Sequence, residues 1–294
     1  TKDLYITGTE LPAIYGASAP KGNYGALRTR GWELTASWRD QFDLGGKPFS
    51  YSAKASLWDS RTWVAAYNNL SGDILGYYEG KELGEIWGFR TDGYFLSNAE
   101  ANNWAKDTYH KNGDNFQAYA GDLKFIDVNG DGEIGVGKGT LEDHGDLERI
   151  GNVTPRYQFG LNLDFRWNNI GLSLFFQGVG QRDWYPACES GFFWGMYNRP
   201  YTYLMNDQTG DNYVHIDYST DNWVVTNADK KPYWTRRVGY SANRNVGPLT
   251  WENDYYLQNA AYFRLKNLTI DYSLPKHIIE KAKIENVKIY LAME

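Results

Sequence analysis

Several things are scarce in these 294 residues, and each scarcity closes a route. The single cysteine, Cys188, cannot form an internal disulfide framework. No unbroken apolar run reaches the length of about 18 residues that a membrane-crossing helix needs. Basic residues are not in excess: the net charge is −6 and the pI near 5.4, which argues against nucleic acid, whose binders carry a basic stripe. Only 4 histidines occur, and His110, His144, His215 and His277 show neither H-x-x-x-H nor Cys/His zinc spacing. There is no repeat of about 20–50 residues and no low-complexity tract. The mean hydropathy of −0.62 looks soluble, but membrane β-barrels read the same way, because half of each strand faces a polar lumen.

Aromatic residues and glycine are plentiful: 24 Tyr, 12 Trp, 13 Phe and 31 Gly favour strands and turns. The clearest stretch is "YQFGLNLDFRWNNIGLSLFFQG" at 157–178. Tyr157, Phe159, Leu161, Leu163, Phe165 and Trp167 share one face, and Gln158, Gly160, Asn162, Asp164 and Arg166 the other. Asn168-Asn169 gives a tight turn, after which Ile170, Leu172, Leu174 and Phe176 resume the apolar face opposite Gly171, Ser173, Phe175 and Gln177. Strands of about ten residues with aromatics at both ends of the apolar face have the dimensions of a bilayer-spanning hairpin. "GWELTASWRD" and "FSYSAKASLW" alternate in the same way around the turn "DLGGKP". In "YFRLKNLTIDYSL" the phase slips at Lys266-Asn267, which predicts a β-bulge. Pro275 opens a short helical connection, followed by a last strand, "VKIYLA".

Segments 62–155 and 179–258 are too long for turns, whereas the links at 40–48, 168–169 and 275–286 are short. Long connections on one side and short ones on the other are the habit of outer-membrane barrels. A soluble secreted β-sandwich, stabilised by calcium and binding carbohydrate, would show the same alternation and is the competing reading. The chain opens on "TKDLYITG" and stops within a strand-like run, so it is expected to be a piece of a longer polypeptide.

Several stretches, in order and along essentially the whole chain, resemble SusC/RagA-type TonB-dependent outer-membrane transporters. They are "GALRTRGWELTASW", "LGEIWGFRTDGYF", "GDLKFIDVNGDGEI", "ERIGNVTPRYQFGLNLDFRWNNIGLSLFFQGVGQRD" and "YFRLKNLTIDYSLP". The resemblance implies that residues 1–294 are an all-β portion of a 22-stranded antiparallel barrel from the C-terminal part of such a protein. It also implies long extracellular loops, a plug domain and final strands lying outside these residues, and a place in the outer membrane. The implied partners are a SusD-like surface lipoprotein, TonB, and an oligosaccharide or peptide substrate.

"FIDVNGDGEI" begins like an EF-hand calcium loop, with oxygen donors at Asp127, Asn129 and Asp131, a turn-making Gly132, and Glu133. Position 12 is Lys138, which cannot ligate, so the closing carboxylate must come from Glu142, Asp143 or Asp146. The expected metal residues are therefore Asp127, Asn129, Asp131, Glu133, Asp143 and Asp146, holding a structural calcium that would pin a long loop. An Asp/Asn-rich turn that merely solvates the loop is the plainer alternative. In 181–258 the aromatics Trp184, Trp194, Tyr197, Trp223 and Trp234 are the candidates for contact with substrate or partner. No catalytic pair is evident: Asp40 with Asp43, and Glu142 with Asp143, are neighbours in sequence only and are expected on turns.

Overall fold

The computed structural model describes residues 1–2, 4–7, 16, 21–108, 118–186, 214–217, 222–225, 252–280 and 283–294. In chain order the elements begin with β1 (Leu4–Thr7), β2 (Lys21–Leu44), β3 (Lys47–Ala66), β4 (Glu85–Phe89) and β5 (Thr91–Tyr94). Next come α1 (Asn98–Asn102), β6 (Lys106–Asp107), β7 (Leu123–Phe125), β8 (Glu133–Ile134) and β9 (Leu147–Asn152). The long hairpin β10 (Arg156–Trp167) and β11 (Ile170–Gln181) follows, then β12 (Asp183–Trp184), β13 (Val214–Asp217), β14 (Asn222–Val225) and β15 (Gln258–Asn259). The chain closes with β16 (Tyr262–Ser273), α2 (Lys276–Ile279) and β17 (Lys288–Met293). Residues Thr29–Thr62, Thr154–Arg182 and Asn259–Glu294 form one compact unit, and Thr1–Arg28, Trp63–Val153 and Asp183–Gln258 the other.

Seven strands make one sheet in the order β1-β2-β3-β10-β11-β16-β17. Every pairing with a resolved register in it is antiparallel. Gly45 and Gly46, at φ of +62° and +73°, turn β2 directly into β3, because a two-residue hairpin turn of this hand needs positive φ at both positions. The link at 40–48 is thus shorter than expected, and Asp40 and Asp43 lie in β2 rather than on a turn. Asn168 takes φ +55° at the second hairpin. The bulge falls where the phase slip predicts it: Phe175 pairs with Asn267 and Phe176 with Leu265, leaving Lys266 as the extra residue.

The register aligns the apolar side chains in rows. Phe49, Trp167, Ile170, Tyr272 and Ile289 form one row. Ala53, Leu163, Leu174, Leu268 and Met293 form a middle row. Leu57, Phe159 and Phe263 lie in a third, with Gly178 between the two rings. A side chain at Gly178 would start 2.2 Å from the Phe159 ring, so glycine there is what lets Phe263 sit 5.9 Å from Phe159 and 5.2 Å from Phe176. The two outer rows are eight residues apart on β10. That is about 27 Å of strand, or roughly 20 Å of height at barrel tilt, close to the ~25 Å apolar band of an outer-membrane barrel.

Nothing among the described residues closes over this face. Trp38 is 64% exposed, Phe263 62% and Leu291 63%, and Leu161 and Leu172 are only half-buried. A sandwich would seal such residues beneath a second sheet; the described residues offer none. The opposite face is polar, with Asp164 accepting from Ser52 at 3.2 Å and Ser173 at 2.7 Å. Near one end of β10, Arg156 grips the buried Asp59 through two hydrogen bonds of 2.5 Å.

The other unit departs from the sequence expectation. Residues 62–155, expected as a long loop, continue β3 to Ala66 and then fold on themselves through the pairs β4–β9, β5–β7 and β6–β8. Ile74, Phe89, Phe125, Ile134, Leu147 and Tyr256 make a core of their own, each no more than 5% exposed.

Candidate functional site

Ile134 and Leu147, buried in that core, flank the acidic loop that the sequence singles out. The loop is closed by its own backbone. The Asp127 carboxylate accepts from the amides of Gly130 and Gly132 at 2.7 and 2.8 Å. Asn129 accepts from the Asp131 amide at 3.0 Å and donates to its carboxylate at 2.9 Å, while Asp131 accepts from Glu133 at 2.8 Å. Such side-chain-to-amide turns mimic a backbone turn and fix the chain's direction.

Asp146 does more than the sequence allows one to foresee. It is 1% exposed, and its two oxygens accept from the amides of Val128 and Gly135, both at 2.7 Å. One buried carboxylate thus joins the two ends of the loop. Asn129, Asp131, Glu133, Asp143 and Asp146 all line one cleft of about 350 Å³, whereas Asp127 faces the glycine amides. Asp143 lies 3.7 Å from Lys138, and Glu133 is exposed. Among the described residues no three His, Cys, Asp or Glu side chains come together closely enough to hold one metal ion. As the side chains stand, the oxygens of Asp127, Asn129, Asp131 and Asp146 serve backbone amides.

A second clamp has no signal in the sequence. Lys81, 7% exposed, donates to the carbonyls of Ile74, Leu75 and Gly76 at 2.8, 3.1 and 2.7 Å. Burial pulls its pKa below the usual lysine range, against the charges of Glu85 and Asp73. Glu85 in turn accepts from the Tyr78 hydroxyl and, at 2.9 Å, from the Trp87 indole. Burial and that carboxylate push the Tyr78 hydroxyl well above the ordinary tyrosine range, so it stays a donor. Arg90 bridges Glu148 at 2.8 Å and Asp254 at 3.6 Å, tying residues 252–258 to this unit.

Of the aromatic candidates, Trp184 lies in β12 and is 43% exposed. Trp223 lies in β14, paired with β13. Trp194, Tyr197 and Trp234 fall outside the described residues.

No family model matches the chain. Two curated proteins of Formosa agariphila do. TonB-dependent receptor P3 is 25% identical over 314 residues, covering 99% of this chain and 27% of that protein. TonB-dependent receptor P39 is 22% identical over 310 residues, covering 96% and 27%. Among solved structures, that of the RagAB peptide transporter superposes with a TM-score of 0.54 at 16% identity, over 99% of this chain and 27% of that one. The "open-open" state of the RagAB peptide importer gives 0.53 at the same identity and coverage. The chain thus has the fold of a portion of a TonB-dependent transporter barrel and resembles the SusC/RagA type along nearly its whole length. It spans about a quarter, 27%, of the curated relatives it matches.

Asp146→Ala should strip both charge-assisted acceptors from the Val128 and Gly135 amides and cost on the order of 3 kcal/mol. Limited proteolysis should then show cleavage within 127–146 at protease levels that leave the parent intact, while Asp143→Ala changes little. Equal resistance of the two variants would contradict the assignment of Asp146 as the closing residue.

Proposed function

We infer that the chain supplies part of the wall and external structure of an outer-membrane importer driven by TonB. The observation that carries this reading is the one-sided apolar face, bounded by two aromatic-bearing rows and backed by polar side chains. In hydrocarbon every backbone amide needs a partner, so β1 and β17, the end strands of the sheet among the described residues, require further strands beside them. Closure by other parts of the same polypeptide satisfies that need, and a single chain with its plug then makes the functional transporter.

The cargo we propose is an oligosaccharide or a peptide, taken up with a SusD-like surface lipoprotein as the external partner. Support comes from the relatives' printed names: two are TonB-dependent receptors, and RagAB is a peptide transporter. TonB would act through a segment outside these 294 residues. Trp184, Trp194, Tyr197, Trp223 and Trp234 are proposed to meet cargo or lipoprotein, since rigid aromatic rings give large contact area at little entropic cost. For the acidic loop we propose a structural calcium, held through lone pairs of Asp127, Asn129, Asp131 and Glu133, with Asp143 or Asp146 closing. Because the loop is already closed by amides, the ion would stiffen it rather than create it.

Fractionation of cells making the full-length protein tests the central reading. The protein should sediment with the outer membrane, need detergent for release, and run faster on gels unheated than heated; recovery in the soluble fraction would contradict it. Leu163→Arg, placed in the middle row, should lower stability by about 2–4 kcal/mol, far more than Asn162→Arg on the other face. In the proteolysis assay, added calcium should slow cleavage near 127–146; unchanged cleavage would remove the ion.

A further inference from the structure

Side-chain bonds fix how β2 lies on β3. Thr29 meets Thr62 at 2.8 Å and Thr35 meets Ser56 at 3.4 Å, so Trp32 stands opposite Asp59 and Arg30 opposite Arg61. All four share the outward phase of Leu57, which lies in the row of Phe159 and Phe263. One step beyond that row, away from the tight turns, Trp32 and Tyr157 are 49% and 43% exposed, in the place of an aromatic girdle. Asp59, in the same row, is buried and its carboxylate is held by Arg156. The next step brings Arg30 and Arg61, both exposed. Because Arg156 pairs with Gln181, Pro155 and Arg182 continue this row, and Arg182 is exposed too. Three positive charges and no negative one thus occupy one row of the outward face. A step of two residues is about 7 Å of strand, or roughly 5 Å of height at barrel tilt. The arginines stand that far above the girdle, and a bilayer's headgroup layer is about 5–8 Å deep on each side.

We propose that Arg30, Arg61 and Arg182 hold the phosphate of an outer-leaflet lipid headgroup against the outside of the barrel wall. The proposal rests on the importer reading and gives it a lipid partner. The tight turns at Gly45-Gly46 and Asn168-Asn169 lie at the opposite end of the strands, and in outer-membrane barrels short turns face the periplasm. The arginine row therefore belongs to the outer leaflet. Acyl chains lie along the rows of Leu57 and Ala53, Trp32 and Tyr157 meet the polar boundary, and the guanidinium groups reach the phosphate just above it. Arginine suits the place, because its fork takes two phosphate oxygens at once while its stem covers apolar surface. Like charges opposite one another on paired strands cost stability, and a shared phosphate turns that repulsion into attraction. Basic side chains at this depth draw anionic headgroups electrostatically. The row does not hang on strands outside these residues: β3, β10 and β11 each lie between two neighbours in the sheet.

Native mass spectrometry of the purified full-length transporter in neutral detergent tests this. The probes are diphosphorylated lipid A, the same lipid stripped of its phosphates, and inorganic phosphate as competitor. The wild type should bind the phosphorylated lipid at least tenfold more tightly than the stripped one, and excess inorganic phosphate should not displace it. Arg30→Gln/Arg61→Gln/Arg182→Gln should erase the preference, whereas Arg264→Gln, whose side chain donates to Gln177 on the polar face, should keep it. Equal binding of the two lipids by the wild type, survival of the preference in the triple variant, or its loss in Arg264→Gln would overturn the proposal. Displacement by inorganic phosphate would do the same, since the site would then serve a free anion. Should the triple variant not assemble, Arg61→Gln alone decides: a loss of preference of at least threefold supports the proposal, and a smaller one overturns it. A wild type recovered from the soluble fraction would instead defeat the importer reading itself.

Discussion

The structure depends on keeping one face of a sheet apolar, in register, across strand after strand. Because side chains alternate with a period of two, a slip of one residue would turn Leu161, Leu163, Leu172 and Leu174 to the polar side and Asn162 and Asp164 to the apolar one. The register is held at several points that do not rely on hydrophobicity. Asn168 fixes one turn, Gly45 and Gly46 fix another, and Lys266 is expelled as a bulge so that Leu268, Ile270 and Tyr272 return to phase. At the polar face Asp164 and Asp271 each bridge neighbouring strands. A sheet so determined, with no apolar layer over it among the described residues, has the one-sided pattern of a transporter-barrel wall.

The second unit solves a different problem. Its irregular backbone cannot satisfy itself through long ladders, so charged side chains take over. Asp146 collects amides where the loop converges, and Lys81 caps three successive carbonyls. Both are buried ions, tolerable because their charged atoms are taken up by hydrogen bonds to the backbone. The result is a small packed body where a long flexible connection would otherwise be needed.

Much of the sheet was legible in the chain. The alternation over 157–178, the Asn168-Asn169 turn, the phase slip at Lys266 and the helix-opening Pro275 are local signals, and each has its counterpart in the structure. The lengths of β2 and β3 were not legible, because Asp40 and Asp43 look like turn residues although an exposed strand carries them without penalty. The core of Ile74, Phe89, Leu147 and Tyr256 was invisible for another reason: its members are scattered and meet only through distant pairings. The acidic loop was legible as a turn. The string that spells calcium ligands also spells amide acceptors, and only coordinates reveal that Asp146 is a buried clasp.

The central claim is that alternate residues of β10 face hydrocarbon and lumen. Spin labels placed singly at positions 159 to 166 of the full-length protein in bilayers would test it most directly. Oxygen, which concentrates in lipid, should broaden the signals at 161 and 163, and a water-soluble nickel chelate those at 162 and 164, with a period of two. Uniform accessibility along the strand, or protection of 161 and 163 from both reagents, would contradict the account.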